Sequence, residues 1–188
     1  EFLRTYRILL KANIIKRDLL FENFIKTKQG KSASGILSVT VFTSPYPEYT
    51  DKNGKKKKQN FTCKWNCYYC PNHKEYPRSY LPDEPGCLRA IRCDFDAIKQ
   101  INDRLSTLEK IGHPLDKLEV LVLGGTWDNY PQLYQESFIR DIYYAGNTID
   151  SIRDKLSLEE EICEEGLPSS TLLIRVVAIF SLFSSLRE

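Results

Sequence analysis

Methionine is missing altogether from the 188 residues, and the chain begins at Glu1. A translated product starts with Met, so the expectation is a piece of a longer chain or an incomplete gene product. Cysteine is scarce: 6 Cys are too few for a disulfide-stapled scaffold, and no secretory leader pattern opens the sequence. Long apolar runs are scarce as well. The most apolar stretch, GLPSSTLLIRVVAIFSLFSSLRE (166–188), falls short of the ~20 residues a spanning helix needs and is interrupted by Arg175. These absences set aside secreted and membrane-embedded classes and favour a reducing, cytoplasmic setting with no membrane partner. An overall charge excess is lacking too, since the net charge is only +2. The distribution is uneven, however. Residues 1–31 carry eight Lys/Arg against three Asp/Glu, while 148–165 carry seven acids against two bases.

What is present is concentrated in FTCKWNCYYCPN, where Cys63, Cys67 and Cys70 stand in a Cys-x3-Cys-x2-Cys spacing. Three thiolates on one short loop suit three irons of a cubane [4Fe–4S] cluster and leave the fourth iron without a protein ligand. An open iron can bind S-adenosylmethionine (SAM), which a reduced cluster splits to an adenosyl radical. Tyr69, just before the third cysteine, fits the aromatic that usually precedes the last ligand and is a candidate SAM contact. The competing reading is a structural zinc site completed by His73, Cys87 or Cys93. Such sites usually pair two Cys-x2-Cys knuckles and only one occurs here, so the spacing favours iron–sulfur. Cys87, Cys93 and Cys163 read as ordinary reduced thiols.

The length suits one domain with a sizeable core. Residues 3–26 lack Pro and Gly and read as one or two helices, either a basic arm for nucleic acid or, more commonly, a packed helix with a solvated charged face. GILSVTVFT (35–43) reads as a strand and SPYPEYTDKNGKKKKQN (44–60) as a polar loop. Within it, Lys55, Lys56, Lys57 and Lys58 are the densest positive charge of the chain. They suit RNA phosphates or a flexible solvated charge run, and charge alone does not decide between them.

Ile91, Phe95, Ile98, Ile101, Leu105 and Leu108 recur at three- and four-residue steps and predict one helix ending at Gly112. LEVLVLGGT (118–126) follows as an apolar strand of the kind buried on both faces of a parallel sheet. Its Gly124-Gly125-Thr126 exit lets backbone approach a ligand closely, although Gly-Gly is also a plain turn. Helical patterns follow at 131–145 and about 148–165. Strand, cysteine loop, helix, strand and helix in that order predict βαβ units that bring the cysteine loop and Gly124-Gly125 to one sheet edge.

SASGILSVTVF (32–42), CKWNCYYCPN (63–72), RSYLPDEPGCLRAIRCDFDAIKQINDR (78–104), GHPLDKLEVLVLGGTW (112–127) and FIRDIYYAGNT (138–148) carry a resemblance beyond the cysteines. In this order they resemble the N-terminal part of the radical SAM domain of the Elongator catalytic-subunit family. The resemblance implies an α/β fold of partial (β/α) barrel type, truncated here, and modification of the wobble uridine of tRNA with acetyl-CoA as acetyl donor. It implies cluster ligation by Cys63, Cys67 and Cys70, a SAM site lined by Gly124, Gly125 and Thr126, and an acetyl-CoA contact at Lys117. It also strengthens Lys55–Lys58 as tRNA contacts, and other Elongator subunits become expected partners. No catalytic residue is singled out. The other class still open is a zinc-stabilised RNA-binding module without chemistry.

Two departures accompany the resemblance. The first cysteine spacer is three residues, shorter than the typical eukaryotic form. After about residue 165 the resemblance stops, with no glutamate-bearing strand or Arg-Pro pair in the remaining residues. The expected organisation is therefore a basic helical segment at 1–31, a partial radical SAM domain at 32–165 and a divergent tail at 166–188. That tail reads as a replacement strand or helix, a membrane anchor, or, as favoured here, unrelated sequence from a gene-model artefact.

Overall fold

The computed structural model describes residues 5–6, 9–10, 12–16, 18, 35–65, 67–68, 70–71, 73, 75–111, 113, 115, 117–149, 153–163 and 173–178. The elements are β1 (Leu37–Phe42), β2 (Glu48–Thr50), β3 (Lys56–Lys58), α1 (Pro85–Arg92), α2 (Ala97–Lys110), β4 (Lys117–Leu123), α3 (Gln132–Asn147), α4 (Leu158–Cys163) and β5 (Leu173–Ala178). β1, β4 and β5 form a parallel sheet in the order β1-β4-β5, and β2 pairs antiparallel with β3. β1 and β4 run in register from Leu37 opposite Leu118 to Phe42 opposite Leu123. The fold is α/β with a parallel sheet. Among the described residues the sheet is open, and no closed barrel is formed.

Alternation builds the core. Leu37, Val39 and Val41 of β1 and Leu118, Val120 and Val122 of β4 share one buried face. Against it pack Ile101, Leu105 and Leu108 of α2 and Tyr134, Phe138 and Ile142 of α3. The other face is mixed. Ser38 donates to Glu119 across the strands (3.2 Å), Arg89 of α1 donates to Thr40 (3.1 Å), and Phe42 meets Tyr80 edge to face. β4 therefore buries one face fully and the other only in part, a correction to the expectation of two buried faces. Gln100 reaches the backbone of β1, its side-chain carbonyl accepting from Phe42 N (2.9 Å) and its amide donating to Phe42 O (3.0 Å). A buried glutamine thereby satisfies edge-strand groups that the sheet leaves over.

Three expected helices are shorter or split. The single helix through Ile91 to Leu108 is two, α1 and α2. Asp94 adopts φ 54° as the residue just past α1, Phe95 N bonds Ala90 O (2.8 Å), and Asp94 N bonds Ile91 O (3.0 Å). That is a Schellman stop with Asp in place of Gly, and Asp96 then caps α2 by accepting from Lys99 N. Gly112, the expected stop of α2, lies outside the described residues; the helix ends at Lys110. The helix expected at 148–165 starts only at Leu158, because Ser157 and Glu160 form a capping box there; residues 164–165 lie outside the described residues. In the N-terminal segment, Ile14 N bonds Leu9 O and Asn13 N bonds Leu10 O with Asn13 at φ 54°. Asn13 thus ends that helical turn, and most of the remaining 1–31 segment lies outside the described residues. In the tail, Leu173–Ala178 is a strand paired parallel to β4.

Candidate functional site

The carboxyl end of the sheet is where β1, β4 and the cysteine loop converge. Thr43 follows β1, donates its N–H to Leu123 O (2.9 Å) and holds the Tyr130 hydroxyl at 2.7 Å. Gly124 leaves β4 at φ 148°, and a Cβ there would lie 1.8 Å from Thr43 Oγ1. A Cβ on Gly125 would lie 2.3 Å from the Phe61 ring. The glycines are required by close approach, as the sequence suggests, but the groups that approach are protein side chains.

Phe61 begins an aromatic column. Its ring stacks on Tyr130 (4.4 Å between centroids), Tyr130 on Tyr134 (5.3 Å), and Tyr134 adjoins Phe138 (5.6 Å). Burial pushes the Tyr130 phenol up to about 12, and burial also raises Tyr134. Both are neutral donors or acceptors at neutral pH. Ser44 N donates to the Tyr134 hydroxyl (2.9 Å), so the column fixes where the chain turns away from β1.

The hairpin β2–β3 delivers the cysteine loop to this edge. Asp51 Oδ1 accepts from Asn53 N and Lys55 N, Gly54 sits at φ 76°, and Phe61 N still pairs with Pro45 O. Lys56, Lys57 and Lys58 therefore stand on a strand, a correction to the flexible-loop reading, and all three are exposed. Lys58 pairs with Glu48 (2.6 Å) and Lys57 with Asp51 (3.3 Å).

Two residues beyond Phe61, Cys63 Sγ lies 3.5 Å from Thr126 Oγ1 and accepts from Asn129 Nδ2 at 3.5 Å. The structure thus brings Cys63 together with Gly124, Gly125 and Thr126. Cys70 lies elsewhere on the loop, its Sγ 3.0 Å from Ser79 Oγ. Ser79 holds a left-handed φ of 76°. Cys67 and Cys70 close a turn through Cys70 N to Cys67 O (3.2 Å), and all three thiols are free. Among the described residues no group of three or more His, Cys, Asp or Glu is gathered closely enough to hold a metal ion. The donor set fits an iron–sulfur cluster in kind, and thiolate loops commonly close only around their metal. Cys87 lies within α1 and Cys93 caps its C-terminal end; both are buried, and burial raises both thiols.

Lys117 is not brought to this edge. It is the exposed first residue of β4, six residues before Leu123, or about 20 Å away at the usual rise per residue. Tyr69 lies outside the described residues. Sequence reasoning missed Thr43, Phe61, Asn129 and Tyr130. Only the aromatic spacing Trp127, Tyr130, Tyr134 and Phe138 could have flagged part of this set. Among the described residues no helix is long and apolar enough to cross a membrane.

The fold and edge define a parallel α/β module that presents the Cys63 thiol and a glycine turn at the carboxyl end of its sheet. No protein-family model matches the chain. It is 36% identical over 122 residues to a tRNA uridine(34) acetyltransferase of Dehalococcoides mccartyi, covering 65% of this chain and 23% of that protein. It is 34% identical over 143 residues to Elongator complex protein 3 of Mus musculus, covering 72% and 24%. A tRNA uridine(34) acetyltransferase of Methanocaldococcus infernus is 31% identical over 174 residues, covering 85% and 29%. The chain is therefore related to the tRNA uridine(34) acetyltransferase and Elongator complex protein 3 family, and spans about a quarter of the length of these relatives. A solved archaeal Elp3 of Methanocaldococcus infernus, lacking residues 1–46, covers 77% of this chain and 22% of that one at 23% identity. Its TM-score of 0.48 is too low to place any residue.

Proposed function

We propose that this chain is the cluster- and SAM-binding part of a radical SAM acyltransferase that forms 5-carboxymethyluridine at the tRNA wobble position. In this reading the described sheet is the first part of a partial (β/α) barrel working in a reducing, cytoplasmic setting, with tRNA as substrate and other Elongator subunits as partners. Cys63, Cys67 and Cys70 would hold a [4Fe–4S] cluster, and Tyr69, Gly124, Gly125 and Thr126 would line the SAM site. When bound, the cluster supplies the electron that cleaves SAM.

The chain's own residues prepare that site. Thr43 and Tyr130 fix the Gly124 turn from below. Phe61 covers Gly125, so a ligand that reaches this backbone displaces the ring. Lys55 to Lys58 would neutralise tRNA phosphates, with the charged strand joined to the cysteine loop by only four residues, 59–62. Lys117 would meet acetyl-CoA at the opposite end of β4, which separates acyl donor from SAM.

The observation that carries the reading is Cys63 seated against Thr126 at the strand end, in a chain with relatives named tRNA uridine(34) acetyltransferase. Iron and sulfide analysis after anaerobic reconstitution tests it, together with product analysis for 5′-deoxyadenosine from SAM and dithionite. About four irons per chain and SAM cleavage are expected. Stoichiometric zinc without iron uptake contradicts the reading.

A further inference from the structure

Cys63 is the one thiol of the three held against the end of β4, and two side chains hold it. After Thr126 the chain makes a single 3-10 turn, Trp127–Asn129, with Asn129 N bonded to Thr126 O (3.0 Å). That turn folds the Asn129 amide back over the cysteine, where Nδ2 donates to Sγ at 3.5 Å; Thr126 Oγ1 stands at the same distance. The geometry points to Asn129 as a positioning residue that stabilises negative charge on the Cys63 sulfur and so raises the reduction potential of a cluster bound there. Neutral N–H donors directed at cluster sulfurs stabilise the more negative, reduced state, and such outer contacts tune metal centres.

The placement is independent of how the rest of the loop closes. Asn129 is anchored by the 3-10 turn and by the neighbouring Tyr130, whose N–H bonds Trp127 O (3.0 Å) and whose ring stacks beneath Phe61. Gln135 Nε2 donates to both Trp127 O and Tyr130 O (3.0 Å each), locking the turn from α3. Among the described residues the Cys70 thiol meets a hydroxyl, that of Ser79, whose donor direction is open. Asn129 Nδ2 can only donate.

The inference rests on the cluster reading above, and a redox titration separates the two. The full 188-residue chain, Asn129→Leu and Asn129→Ala are reconstituted anaerobically with iron and sulfide. Each is then titrated with dithionite through mediators, reading the EPR amplitude. Leu keeps the number and branching of the Asn side-chain heavy atoms and removes the donor. Both variants are expected to hold wild-type iron at a lower midpoint. The expected shift is roughly tenfold in the reduced-to-oxidised ratio at fixed potential, about 59 mV for one electron. A wild-type midpoint in the iron-loaded Leu variant overturns the role of Asn129 and leaves the cluster reading intact. If Ala fails to load iron, Leu decides. Failure of the wild-type chain to load iron removes the cluster reading, and this inference with it.

Discussion

Two buried polar networks of this molecule differ in charge and in what stands beside them. At α4, Glu161 is fully buried, and Arg153 gives its carboxylate two hydrogen bonds (2.8 and 2.7 Å). Leu156 N (3.0 Å) and Asn147 Nδ2 (3.1 Å) supply two more. Both carboxylate oxygens are used, the buried Asn147 Oδ1 is the one acceptor left over, and the network docks α4 on α3. At the carboxyl end of the sheet, Thr43 and Tyr130 satisfy each other, yet beside them stand the Cys63 thiol and a glycine backbone. A buried perturbed acid is often a mark of function. Here the neutral, aromatic network adjoins the proposed cluster site, and the charged one joins two helices.

Substitutions should break that contrast in order of size. Gly124→Ala places a Cβ into Thr43 Oγ1 at a φ that disfavours side chains, and about 3 kcal/mol of stability should be lost in urea unfolding. Gly125→Ala should lose less, since the ring it meets belongs to the partly exposed Phe61. Both should lower iron uptake.

Glu161→Gln should cost about 2 kcal/mol, below the usual figure for a broken buried pair because Arg153 is 27% exposed and can be rehydrated. Iron uptake per folded molecule should be unchanged. Burial alone would raise the Glu161 pKa, but Arg153, Leu156 N and Asn147 together hold it below the ordinary carboxylate value. Its stabilising effect is thus present above the unfolded value, about 4.3, and is lost as pH falls through the folded value. Midpoints of urea unfolding measured across that acid range should fall for the wild-type chain and vary less for Glu161→Gln.

Thr43→Val removes the partner of the Tyr130 hydroxyl and should cost about 1 kcal/mol. Lys58→Ala should leave unfolding unchanged, because its pair with Glu48 is exposed on both sides, and Lys57→Ala should cost very little, because Asp51 is partly covered and keeps its backbone donors. The same changes should weaken RNA binding and flatten its salt dependence, as filter binding at several salt concentrations would show.

The alternation in LSVTVF and the apolar run KLEVLVL made β1 and β4 legible, and the order of elements brought Cys63 to Gly124-Gly125 as expected. Helix stops were harder. Asn13 and Asp94 take left-handed positions usually marked by glycine, so both stops were hidden in plausible helical pattern. Ser157-x2-Glu160 was legible as a capping box and was passed over. The hairpin was concealed because lysines are poor strand formers, and β3 is set by the Asp51–Gly54 turn. Thr43 and Tyr130 meet across 87 residues, a contact that no local pattern encodes.

The proposal at stake is that Cys63, seated at the carboxyl end of β4, and Cys67 and Cys70 of the same loop close around a cluster with one open iron. EPR of the reduced, anaerobically reconstituted chain, recorded with and without SAM, addresses it most directly. A cubane signal that changes on adding SAM and disappears in Cys67→Ala is the expected result. A signal indifferent to SAM, or bound zinc with no iron signal, would contradict it.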